Sequence, residues 1–95
     1  MTAARFRKKP VEIEAVQFDG TSFTAESIIR WIIDGGGTAW TITIGSPERI
    51  VIIIETLEGR MQAGDTDWII RGVKSELYPI KDSIFRETYE PVDES

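Results

Sequence analysis

Residues 65–92 read DTDWIIRGVKSELYPIKDSIFRETYEPV. The fold turns on whether this stretch is a site or the plan of a small core. Two short apolar runs, WII (68–70) and LYPI (77–80), flank a turn region at 72–75. Runs of this length bounded by turn residues predict two strands joined as a hairpin. Pro79 has no N–H to donate, which places its strand at a sheet edge or the Pro itself at a bulge. Asp82 is the expected cap of a short helical turn that directs Ile84 and Phe85 inward. On this reading Trp68, Ile70 and Val73 fill a core, and Gly72 supplies a backbone conformation closed to other residues. Phe85 and Tyr89 then lock the final turn onto the sheet.

Working back toward the N-terminus, VEIEAVQF (11–18) alternates as a strand, with Val11, Ile13 and Ala15 opposite Glu12 and Glu14. Its phase flips at Val16 and Phe18, as a bulge or two-sided burial requires. TSFTAESIIRWIIDGGG (21–37) is the clearest helix. Ser22 or Thr24 is the expected cap, Ala25, Ile28 or Ile29, and Ile32 recur at helical spacing, and Gly35–Gly37 stop it. TAWTITI (38–44) alternates as a half-buried strand, and GSPE (45–48) is a turn. RIVIIIETL (49–57) is apolar on both faces, which argues for a central strand. LEGR (57–60) turns the chain into a further strand at RMQA. The order is β-α-β-β-β-β-β with a last helical turn, and the short connections imply antiparallel pairing. The expected fold is α+β: a curved, mostly antiparallel sheet or partly open barrel, with one main helix and a short C-terminal helical turn.

A chain of 95 residues makes one domain, with expected flexible ends at 1–8 and 91–95. Its hydrophobic content of 41% argues against disorder. The longest apolar run, IVIII (50–54), is strand-sized, so no membrane span is expected. No apolar segment follows the basic start, so no secretory signal is expected and the protein is placed in the cytoplasm. There is no Cys and no His. That removes thiolate or imidazole zinc sites and every His-based triad or base. The net charge of −5 disfavours generic nucleic-acid binding. Charge is nevertheless asymmetric: Arg5, Arg7, Lys8 and Lys9 open the chain, and Glu87, Glu90, Asp93 and Glu94 close it.

The start RFRKKPVEIEAVQFDG (5–20) and the run TLEGRMQA…DWIIRGVKSELYPIKDSIFRETYEPV (56–92) resemble a family of small proteins of bacteriophages and prophages, notably of actinobacteria. That pattern runs Pro-Gly-Asp-Trp, Gly-Val-Lys-Gly-Glu, Tyr-Pro, Ile-Phe and Thr-Tyr-Glu. This chain departs from it with Asp65-Thr66 at Pro-Gly, Ser75 at the second Gly and Ile80 at a common Cys. The resemblance implies a phage-borne accessory protein and no particular reaction.

The polar residues of the segment supply the site candidates. Arg71, Lys74, Lys81 and Arg86, with Trp68 and Tyr78, form an expected cationic, aromatic-lined cleft able to stack a base and pair a phosphate. Each is equally a solvated charge beside a core aromatic, the commoner fate of Lys and Arg. Trp40 is a further candidate, through a second subunit. Glu12 and Glu14 share a strand face about 6.6–7 Å apart, a separation that overlaps an inverting glycosidase pair, but the alternation makes that the ordinary solvent face. Asp65 and Asp67 lack the Gly and Glu of a calcium loop. The triple Gly ends a helix and so has the wrong polarity for a phosphate loop. The expectation is a non-enzymatic accessory protein without cofactor or metal. It binds a bacterial host protein, a regulatory or defence factor, in the host cell cytoplasm, with an exposed edge at Tyr78–Ile80 as a strand-addition surface. The alternatives are a binder that sequesters a nucleotide-type signal and a minor virion component. A homodimer is open, because the sheet has exposed edges.

Overall fold

The structure, a computed structural model, describes residues 2–7 and 9–92. The expectations placed on Lys8, Asp93 and Glu94 lie outside the described residues. The elements follow in the order β1 (Glu14–Gln17), α1 (Ser22–Asp34), β2 (Ala39–Ile44), β3 (Arg49–Thr56), β4 (Gly59–Ala63), β5 (Trp68–Arg71), β6 (Leu77–Ile80) and α2 (Asp82–Thr88). The class is α+β, and every strand pair is antiparallel. The strands divide into two three-stranded sheets, β1-β5-β6 and β2-β3-β4, and neither closes into a barrel.

The division is made at the link 64–67. Asp67 is buried, and its Oδ2 accepts from the Gly64 N–H at 2.9 Å. Phe18 donates its N–H to Asp67 O, and Thr66 donates to Phe18 O, both at 2.9 Å. The Thr66 N–H and Asp67 C=O are thus satisfied by Phe18, just past β1, and β5 starts beside β1 instead of beside β4.

One core joins both sheets and α1. Phe18, Ile69 and Leu77 come from the first sheet, Ile52, Ile54, Ala39 and Ala63 from the second, and Ala25, Ile28 and Ile32 from the helix. The register shows which face each strand presents. Val16 opposes Ile69, and Ile69 opposes Pro79, on the core side. Ala15, Ile70 and Tyr78 share the opposite side. Val11 is exposed, so the inward face of the first strand is Val16 and Phe18, not Val11, Ile13 and Ala15. The phase flip at Val16 marks where pairing with β5 takes control.

On its outer side the first sheet is closed by α2. Phe85 stacks on Trp68 with ring centroids 3.9 Å apart, and Tyr89 lies 5.2 Å from Phe85. Ile70 is fully buried beneath this layer. Val73 and Ile84 are exposed instead of inward, because Val73 sits in the β5–β6 turn and Ile84 on the solvent side of α2.

Local chemistry shifts both helix starts from their expected places. Thr21 caps α1, accepting from the Thr24 N–H at 3.2 Å. Asp19 fixes it by accepting from the Thr21 N–H and Oγ1 at 3.0 and 2.7 Å. Lys81 is the N-cap of α2 and makes no side-chain cap bond, so Asp82 is its first helical residue. Gly72 does not take a left-handed φ. A Cβ there would instead collide with the Glu76 carboxylate. The left-handed non-glycine residues are Thr66 (φ 73°) and Ser75 (φ 64°).

Candidate functional site

At one end of the core the β3–β4 hairpin faces β6 across an open groove of about 290 Å³. The hairpin contributes Thr56, Leu57, Glu58 and Met61, and the facing strand contributes Glu76, Leu77, Tyr78 and Pro79. Leu57 stands in the hairpin turn and is 88% exposed, because neither sheet reaches the tip. Gly59 closes that turn at φ 103°, a conformation in which an L side chain is strained. Met61 is partly exposed on the core-facing side of β4. Among the described residues the lining holds two carboxylates, Glu58 and Glu76, and no Lys or Arg.

β6 is an edge strand, as Pro79 requires. The Gly72 N–H donates to Glu76 O at 2.8 Å, which sets the alternation along β5–β6. Ile70 and Tyr78 form the next hydrogen-bonded pair, and Leu77 and Pro79 turn their backbone groups away from β5. Pro79 therefore sits where no ladder donor is needed. The edge offers the Leu77 N–H and C=O and the Pro79 C=O.

Tyr78 links this groove to α2. Its hydroxyl lies 3.2 Å from that of Tyr89. That hydrogen bond, then burial, then the charge of Tyr89 and of Glu76, push the Tyr78 hydroxyl up to about 12. It is a neutral hydrogen-bonding group at physiological pH.

The cationic cleft does not assemble from the residues the sequence singles out. Trp68 and Tyr78 lie on the outer side of the first sheet, whereas Arg71 lies on the opposite side. The Arg71 guanidinium stacks on Trp31 at 3.9 Å, donates to Trp31 O, and pairs with Glu14 at 3.5 Å. It closes the C-terminus of α1, a helix with no basic residue in its last turn. Gly35 lets it approach, since a Cβ there would overlap the guanidinium. Trp68 and Arg86 do come together, through Asp82. The Asp82 Oδ1 accepts from Trp68 Nε1 at 2.8 Å, Arg86 Nε at 3.0 Å and Gln17 Nε2 at 3.2 Å. The Trp68 and Arg86 bonds chiefly hold its carboxyl below the usual carboxylate range. Lys81 pairs with Asp67 at 3.6 Å. Lys74 is exposed in the β5–β6 turn, where its N–H donates to Glu76. Trp40 lies on the other sheet under Arg60, whose Cζ is 5.1 Å from the ring.

A second concavity, lined by Glu12, Ile13, Glu14, Arg71, Gly72, Val73 and Ser75, has Arg71 as its basic member among the described residues. No group of three potential metal ligands occurs among the described residues. No helix among them is long and apolar enough to cross a membrane. Reasoning from the sequence overlooks Leu57, Glu58 and Met61. The available signal is Leu57 itself, a large apolar side chain at a turn position normally polar.

No protein-family model, no curated protein and no solved structure matches this chain.

Proposed function

We propose that the chain is an accessory protein of a bacteriophage or prophage that binds a protein of the bacterial host. In this reading the groove between β6 and the β3–β4 hairpin takes an apolar segment flanked by basic residues. The observation that carries it is the pairing of exposed Leu57 and Met61 with Glu58 and Glu76, in a lining without a cation among the described residues. The apolar wall supplies affinity, and the carboxylates with the net charge of −5 favour and steer a basic partner. The edge of β6 adds a short stretch of strand pairing that Pro79 keeps from extending. The phage origin, the host cytoplasm and a regulatory or defence factor as target rest on the resemblance of residues 5–20 and 56–92.

A nucleotide-sequestering role has less to stand on. Arg71, Lys81 and Arg86 are each paired with a different carboxylate: Glu14, Asp67 and Asp82. The test is native mass spectrometry of the protein purified gently from a bacterial host lysate, beside Leu57→Asp. A stoichiometric host polypeptide is expected on the wild type and absent from the variant, whose exposed position leaves the fold intact. A polypeptide retained equally by both would remove the groove from the proposal. An adduct of nucleotide mass would replace the host-protein reading with sequestration.

A further inference from the structure

Of the four strands at sheet edges, three carry a feature that discourages pairing with another chain. β1 has Glu14, β4 has Arg60 and β6 has Pro79. Charge and Pro are the usual guards of an exposed edge. β2, Ala39–Ile44, has neither: its sequence is AWTITI. Thr41, Ile42 and Thr43 are exposed, and among the described residues no other part of the chain covers that edge.

We infer that β2 pairs with β2 of a second copy, antiparallel about a two-fold axis at Thr41, to make one six-stranded sheet from two β2-β3-β4 sheets. The hydrogen-bond alternation carries the argument. Glu55 donates its N–H to Thr38 O at 3.1 Å. With the observed register, Trp40, Ile42 and Ile44 then exchange bonds with β3, and Ala39, Thr41 and Thr43 direct theirs outward. That outward set is self-complementary. When Thr41 faces Thr41 of the copy, Ala39 faces Thr43 and Thr43 faces Ala39. Every outward donor then meets an acceptor, as a closed isologous interface requires.

The side chains agree with this register. Trp40 of each copy opposes Ile42 of the other on the outer face, beside Ile53, with Val51 already buried beneath them. Ile42 is 40% exposed in the single chain. The Thr41 pair is a favourable cross-strand match. From Thr38 to Ile44 no charged residue meets another, so two chains of net charge −5 approach along their neutral edge. Residual repulsion is long-ranged and screened, so added salt tightens the dimer. A single strand pairing is smaller than the roughly 1,200–2,000 Å² of a standard interface, and the association is concentration-dependent accordingly.

The test is sedimentation equilibrium from micromolar to millimolar protein, with three variants. The wild type is expected to rise from 10.7 kDa to twice that mass as concentration increases, and to do so earlier at high salt. Thr41→Lys places two like charges on the axis at a position exposed in the single chain, and should remain at the single-chain mass with an unchanged circular dichroism spectrum. In this cysteine-free chain, oxidised Thr41→Cys should give a covalent dimer. Opposed residues of such a pair have Cα atoms about 5.5 Å apart, within disulfide range. Thr43→Cys, displaced from its own copy along the strand, should not crosslink. A single-chain mass throughout would overturn the inference, as would a dimer that survives Thr41→Lys or crosslinks equally through residue 43.

Discussion

The two sheets have the same number of strands and are finished in opposite ways. The β1-β5-β6 sheet is covered on both faces, by the shared core on one side and by Phe85 and Tyr89 of α2 on the other. Its polar side chains are engaged locally: Arg71 with Trp31 and Glu14, Asp82 with Trp68, Gln17 and Arg86, Asp67 with Gly64 and Lys81. The β2-β3-β4 sheet is covered on one face only. It leaves a neutral edge, an outer apolar face under Arg60, and an exposed hairpin tip at Leu57. The residue types that look most like a site lie in the sheet where they are already satisfied. The surfaces with unmet binding capacity lie on and beside the plainer sheet.

The largest test of this contrast sets Trp68 against Trp40. Trp68→Ala removes the stack on Phe85 and leaves Asp82 without its indole donor, and should cost about 3–5 kcal/mol in denaturant unfolding. Trp40→Ala loses an exposed cation–π contact and should cost about 0.5–1 kcal/mol in the dilute single chain. Equal costs would mean that the second sheet is covered as firmly as the first.

The arginines repeat the comparison at a smaller scale. The Arg71 side chain is 13% exposed and its planar fork serves both the Trp31 face and the Trp31 carbonyl. Arg71→Lys keeps the charge and loses that geometry, at about 1–2 kcal/mol by thermal or chemical unfolding. The Arg60 side chain is 70% exposed, and Arg60→Lys should change stability by no more than a few tenths of a kcal/mol. A matching loss at Arg60 would show that its place over Trp40 is held by more than solvent-exposed contact.

Two substitutions should gain stability instead. Thr66 and Ser75 hold left-handed φ angles that cost an L residue about 1–2 kcal/mol, most for β-branched Thr. Thr66→Gly and Ser75→Gly relieve that, against a smaller gain in unfolded-chain freedom. A net stabilisation of about 1 kcal/mol at Thr66 and somewhat less at Ser75 is expected in urea unfolding. Both turns bound β5, so the gain belongs to the closed sheet.

The element order, the hairpin at 68–80, the central place of β3 and the edge place of β6 were legible because each rests on local pattern: alternation, turn residues, and the missing N–H of Pro79. The split into two sheets was not legible, since it depends on which distant backbone satisfies the link at 64–67. The same limit applies to the site. Composition shows that Arg71, Arg86 and Trp68 can bind something. Only the fold shows that Trp31, Glu14 and Asp82 already occupy them. The alternation of TAWTITI shows that Trp40 and Thr41 look to opposite faces of a half-buried strand. Which of the two faces looked outward was set by the register with β3, where Ala39 opposes core residue Ile54.

The gentlest test uses pH, and it reads the layer between β6 and α2. Tyr78 has its hydroxyl pushed up to about 12, first by the bond with Tyr89 and then by burial. A raised value favours the neutral form, so the contribution is complete below the unfolded tyrosine value of about 10 and is lost as pH rises through 12. Asp82 has the opposite sign. Its carboxyl is held low by Trp68 and Arg86, so its contribution is complete above the unfolded value of about 3.9 and is lost as pH falls through the lower folded one. Tyr89→Phe should therefore return the Tyr78 ultraviolet titration toward 10 and flatten the alkaline limb of the stability profile. Asp82→Asn should flatten the acid limb. In both variants amide exchange should accelerate in β5, β6 and α2 while β2, β3 and β4 keep their protection. Exchange that accelerates evenly across both sheets would show that the α2 layer stabilises the whole core, and that the contrast between the sheets ends at their surfaces.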